Sequence, residues 1–139
     1  MNLRFRLLTF TAVMLILFAT APCMSEEAKG VLDGLAFVGL NGEKGGALDP
    51  DEDEEIVFSD GMFTSVSCAP YNFNSSEYSA NRVGDAIHFS AVTESPTHGK
   101  ISWQGVVRGD TAKMEFVWTK ERWYWDTRKE YWFEGKLKK

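Results

Sequence analysis

From Gly34 to the C-terminus the chain alternates apolar and polar residues in short runs, and turn residues separate the runs. In Ala86–Thr93, Ile87, Phe89 and Ala91 share one face while His88 and Ser90 take the other. Ile101, Trp103, Gly105 and Val107 oppose Ser102, Gln104, Val106 and Arg108 in the same way. Ala112, Met114, Phe116 and Trp118 oppose Lys113, Glu115 and Thr119, and Tyr131, Phe133, Gly135 and Leu137 line one face of the last run. A period of two is the signature of a half-buried strand. Shorter β-rich runs at Leu35–Leu40, Glu55–Phe58, Met62–Ser67 and Glu77–Val83 bring the total to about eight strands.

The turns between them are legible as well. Ser59-Asp60-Gly61 is an Asp-Gly hairpin signal, and Gly84-Asp85, Ser95–Gly99 and Gly109-Asp110 mark three more reversals. Strands with a single apolar face exclude a parallel α/β sheet, whose strands are apolar on both sides. The pattern predicts an all-β fold: one small antiparallel meander barrel of about eight strands, with a β-sandwich as the alternative. Gly39, Gly105 and Gly135 interrupt strands, as glycines do where a small barrel bends sharply.

Residues 1–25 fall outside this pattern and read as a signal peptide, leaving 26–139 as one barrel domain. Arg4 and Arg6 precede the apolar run Leu7–Ala21, which is too short and too soon followed by Glu26 and Glu27 to suit a membrane span. The expected location is therefore exported, periplasmic or extracellular; a retained N-terminal anchor is the competing reading. Small residues allow a cut after Cys23 or after Ser25. Cys23 follows Pro22, whereas a lipoprotein signal places Gly, Ala or Ser there, and membrane attachment is expected only if Cys23 is lipidated. Without Cys23, Cys68 is alone, which implies an unpaired buried thiol or an intermolecular bridge.

Charge narrows the partners. The 139 residues carry 15 basic and 20 acidic side chains, and the leader removes two basic and no acidic ones. The resulting 13 against 20 is a net charge of −7, which argues against nucleic acid. Residues 26–99 hold 3 basic and 14 acidic groups, and 100–139 hold 10 and 6, so two arcs of opposite sign are expected. The acidic excess concentrates in Asn41–Glu55, a Pro/Gly-containing stretch expected to be a solvated loop. Asp49, Asp51 and Asp53 there have the one-three-five spacing of a calcium loop. Glu54 stands where that loop needs glycine and Pro50 stiffens its start, so they form a weak calcium candidate beside an expectation of no metal and no cofactor.

Aromatic residues supply the candidate contacts. Trp118, Trp123, Tyr124, Trp125, Tyr131, Trp132 and Phe133 fall within 16 residues. Trp118, Tyr131 and Phe133 occupy core positions, whereas Trp123, Tyr124 and Trp125 lie on the connection Lys120–Thr127. Rings at a barrel end can stack on a ligand or seat in a partner. The expected ligand or partner contacts are Trp103, Trp118, Trp123, Tyr124 and Trp125. No catalytic residue is expected: His98 lies in a turn, and a Cys68–His88 nucleophile pair has no third group to orient it.

The run Phe58-x-Asp60-Gly61-x-Phe63-x-Ser65-x-x-Cys68-x-x-Tyr71-x-Phe73 resembles a group of small secreted bacterial proteins. So do Ser95-Pro96-Thr97-x-Gly99, Trp103-x-Gly105-x-Val107-x-Gly109, Trp118-x-Lys120 and Tyr131-Trp132-Phe133-x-Gly135-x-Leu137. The resemblance covers nearly all of residues 33–138 and implies a lipocalin-like (calycin-type) β-barrel and export; it lends no catalytic residue. The expected role is an exported, non-catalytic binding protein holding a small apolar ligand in the barrel. The alternative is a closed barrel that meets a protein partner through the Trp123–Trp125 end. Whether large inward rings such as Phe58, Phe63, Trp103 and Phe133 fill the interior decides between them.

Overall fold

Eight strands follow one another around a closed ring, each antiparallel to the next: β1 (Ala36–Glu43), β2 (Asp53–Ser59), β3 (Met62–Ser65), β4 (Ser76–Val83), β5 (Ala86–Ser95), β6 (Gly99–Arg108), β7 (Thr111–Lys120) and β8 (Thr127–Leu137). The structure is a computed structural model that describes residues 30–46 and 53–139. The expected signal peptide, and Asp49 and Asp51 of the calcium candidate, lie outside the described residues. Closure is made by β1 and β8, which pair from Phe37↔Leu137 to Glu43↔Tyr131. A sandwich would leave that edge open, so the meander barrel is the architecture.

Closure demands a close approach that a side chain would block. A Cβ at Gly39 would collide with the backbone of Glu134 and Gly135 on β8, so glycine is what lets the first and last strands meet. The tightest hairpin has a similar cause. Asp60 and Gly61 both have positive φ, 53° and 75°, the paired left-handed geometry of the turn that best matches strand twist. The weakest seam is β3 against β4, where pairing is limited to Met62↔Glu77 and Phe63↔Ser76.

Inward positions are filled by rings over most of the barrel's length. Phe58 meets Tyr78 and Phe89 edge-on at 5.0 Å each, Phe63 at 5.6 Å and Phe37 at 6.4 Å. Phe63 contacts Trp103 at 4.9 Å, Trp103 stacks on Phe116 at 4.2 Å, and Phe116 stacks on Tyr131 at 5.1 Å. Such pairs add about 0.5–1.5 kcal/mol each beyond the area they bury.

The end carrying the Asp60-Gly61 turn is sealed. Residues 30–35 fold across it, anchored by Gly34 N–H to Phe58 O at 2.9 Å and Phe58 N–H to Leu35 O at 2.9 Å. Leu32 beneath them is fully buried. Its N–H donates to the Tyr78 hydroxyl at 3.1 Å, and that hydroxyl donates to Asp33 Oδ1 at 2.7 Å. Asp33 then accepts the Gly61 N–H on both oxygens at 3.0 Å, tying the entering chain to the hairpin tip. Burial, with the Asp33 hydrogen bond second, pushes Tyr78 up to about 12 from its ordinary 10.0.

The element limits differ from the sequence reading in two places that matter. β1 runs on to Glu43 and β2 begins at Asp53, so the acidic connection is shorter than Asn41–Glu55. β3 stops at Ser65 instead of Ser67, and Ser67 and Cys68 turn over the barrel end.

Candidate functional site

Among the described residues, the opposite end, where β1–β2, β3–β4, β5–β6 and β7–β8 connect, holds a cup of about 570 Å³. This lies within the range of small-molecule sites. Ile101, Phe116, Trp118 and Tyr131 reach it from β6, β7 and β8 because they continue the inward alternation toward the mouth. The stacked rings below close its floor.

One wall is the β3–β4 loop, which a short 3-10 turn at Ala69–Tyr71 shapes before Asn72 reverses the chain in the left-handed region. Phe73 is thereby driven inward and lines the cup. The loop is fixed to the β5–β6 turn: Ser95 Oγ donates to Tyr71 O at 2.7 Å, Asn74 N–H reaches Glu94 O at 3.3 Å, and Asn72 Nδ2 reaches Thr97 Oγ1 at 3.2 Å. Tyr71 meets the His98 ring edge-on at 5.4 Å. His98 O in turn accepts the Trp118 indole N–H at 2.6 Å. Three mouth elements are thus joined through Tyr71, His98 and Trp118.

Asn41, Asp53, Ser67 and His98 bring polar groups to the cup, and the most deeply buried one is Glu54, which is 1 % exposed. It shares the inward face of β2 with Ile56 and Phe58, so barrel geometry carries a carboxylate where alternation calls for an apolar residue. Every oxygen is provided for. Oε1 accepts the backbone N–H of Glu55 at 3.0 Å and of Ser67 at 3.1 Å, and Oε2 accepts the Ser65 hydroxyl at 2.9 Å and the Ser67 hydroxyl. A carboxylate can leave water at tolerable cost when its lone pairs are filled in this way. Its four partners are neutral, so the negative charge is solvated but has no counter-ion among them.

Cys68 sits beside this network. Burial pushes its thiol above the ordinary 9.0, the Ser65 hydroxyl pulls it back, the Glu54 charge pushes it up, and the Ser67 hydroxyl pulls it down. A raised thiol is a poor nucleophile at neutral pH. His88 is exposed on the outer wall, so Cys68 and His88 are not brought together.

The other expected contacts divide by position. Trp103 lies in the core, 1 % exposed, its indole N–H donating to Thr93 Oγ1 at 3.0 Å. Trp118 is half-buried in the cup wall. Trp123 and Trp125 project from the β7–β8 connection, 94 % and 64 % exposed, with Tyr124 packed between them at 5.0 Å and 4.3 Å. Arg122 donates to the Tyr124 hydroxyl at 3.2 Å. Asp53 stands at the cup rim, and among the described residues no His/Cys/Asp/Glu group is arranged to hold a metal ion.

Sequence reasoning missed Glu54, Ser67, Tyr71, Phe73 and His98 as parts of one site. For Glu54 a signal existed: Glu54, Ile56 and Phe58 are two apart, and extending that face backwards places the acid inside. A second hollow, about 770 Å³, lies outside the barrel across β4–β8. Outward polar side chains such as Ser79, His88, Gln104 and Lys113 border it, over the buried residues Phe89, Met114 and Phe133.

Comparisons with protein-family models, with curated proteins and with solved structures find no match for this chain.

Proposed function

We propose that this is an exported, non-catalytic binding protein of the lipocalin-like kind, and that it holds a small, largely apolar molecule in the mouth cup. The observation that carries the reading is the contrast along the barrel axis. Among the described residues, rings fill the interior from the Leu32 end upwards, then stop and leave a ring-floored cup of about 570 Å³. Concave, mostly apolar hollows with few polar groups are the common form of ligand sites. A thiol pushed up by burial and by the neighbouring Glu54 charge supports binding over nucleophilic chemistry.

The test is the mass of the protein taken from its natural host, measured first under native and then under denaturing conditions. A native mass exceeding the denatured one by a few hundred daltons supports a retained ligand. The denatured mass also gives the leader cut and any lipid on Cys23. Identical masses would count against a carrier that travels loaded. They would favour the second reading, a partner surface at Trp123–Trp125, which rests on the exposure of both indoles.

A further inference from the structure

We propose that the cup selects an organic cation: an ammonium group on an apolar or aromatic body. The inference rests on the cup being the ligand site and names the class of ligand it takes.

Three observations point the same way. Glu54 puts a buried negative charge at the cup wall, and all four of its partners are neutral N–H and O–H groups. A charge in that setting projects much further into an adjoining cavity than it would in water. Tyr71, Trp118 and Tyr131 bring aromatic rings to the same space, and ring faces attract cations. No lysine or arginine lines the cup among the described residues. Of the lysines at the mouth ends of the strands, Lys129 is held by Glu43 at 3.2 Å, and Lys100 and Lys120 are not among the lining residues. A carboxylate ligand would meet Glu54's charge with no lysine or arginine in the lining to offset it, only the His98 ring, whose Nδ1 already engages the Thr97 hydroxyl at 2.7 Å. An ammonium would meet that charge and the rings together. Asp53 at the rim adds negative charge and has no ion pair among the described residues.

The network also offers a neutral counterpart. Both partners of Oε1 are backbone N–H groups, whereas both partners of Oε2 are hydroxyls that can rotate to accept instead of donate. In Glu54→Gln the amide oxygen can keep the first pair and the amide nitrogen can donate to the second. The charge is removed while the hydrogen bonds are kept.

The experiment is calorimetric titration with three probes of one shape: 2-phenylethylammonium, 2-phenylethanol and 3-phenylpropionate. The Trp118 indole N–H signal is followed by NMR alongside. The expected result is about tenfold or greater preference for the ammonium over the alcohol, with the carboxylate weakest. In Glu54→Gln, shown folded by its thermal transition, the preference should fall to within about threefold. If the alcohol or the carboxylate binds as tightly as the ammonium and moves Trp118, the cation inference is overturned and the cup stands as a binding site. If none of the three binds, the cup reading falls with it. The wild-type ranking decides even if the variant does not fold.

Discussion

The two ends of this barrel are built from the same strands and the same inward alternation, yet they do opposite things. At the Leu32 end, inward positions carry Phe37, Phe58, Phe63 and Phe89, and a hydrogen-bonded latch through Tyr78, Asp33 and Gly61 closes the remaining gap. At the mouth, the inward positions pass to Glu54, Ile101, Trp118 and Tyr131, and among the described residues the β3–β4 loop and the β5–β6 turn border a hollow. The difference teaches where stability and binding are kept. An eight-stranded barrel has just enough interior to fill with side chains. Leaving one end unfilled gives up burial there, and close packing at the other end compensates.

The largest effect that would break this division is at Phe58. Phe58→Ala empties the point where four other rings converge and should cost about 3–5 kcal/mol in denaturant unfolding. A loss below about 1 kcal/mol would mean that the closed end is not the stability core. Next comes the buried carboxylate at the mouth. Glu54→Ala leaves two backbone N–H groups and two hydroxyls without an acceptor and should cost about 2–3 kcal/mol, with Glu54→Gln retaining most of the stability. Equal losses in the two variants would show that the hydrogen-bond network contributes little.

Tyr78 gives the closed end a pH signature. Its hydroxyl is raised from 10.0 to about 12, so the folded state holds the proton more tightly than the unfolded chain. Its contribution is complete below about pH 10 and is lost progressively as pH rises from about 10 to 12, because the unfolded chain ionises first. Tyr78→Phe should cost about 1–2 kcal/mol at neutral pH and flatten the alkaline fall of the unfolding midpoint. An unchanged alkaline slope would place the titrating group elsewhere. The smallest effect is expected at the exposed tip: Trp123→Ser with Trp125→Ser should alter stability by no more than about 0.5 kcal/mol. A larger loss would mean that these rings brace the mouth.

Much of the barrel was legible because a period of two can be read directly from residues such as Ile87, Phe89 and Ala91, and the Asp60-Gly61 turn follows from backbone sterics. The division into a closed end and a cupped end was not legible, because it depends on how far each strand runs before a loop takes over. Glu54 shows why. Its sequence neighbours are acidic, so composition assigned it to a solvated loop, whereas two more residues of strand placed it inside. Tyr71, Phe73 and His98 were equally hidden, since the contacts that gather them are long-range bonds between two loops. Trp118, Tyr131 and the exposure of Trp123 and Trp125 were the parts of the mouth that local pattern could suggest.

The central claim is that ligand enters the cup, and the five indole N–H signals of Trp103, Trp118, Trp123, Trp125 and Trp132 test it most directly. The five occupy four settings: core, cup wall, exposed tip for two of them, and outer wall. Titration with 2-phenylethylammonium and 2-phenylethanol should shift Trp118 saturably while Trp123 and Trp125 stay in place. Movement of Trp123 and Trp125 with Trp118 unmoved would contradict the account and assign recognition to the tip.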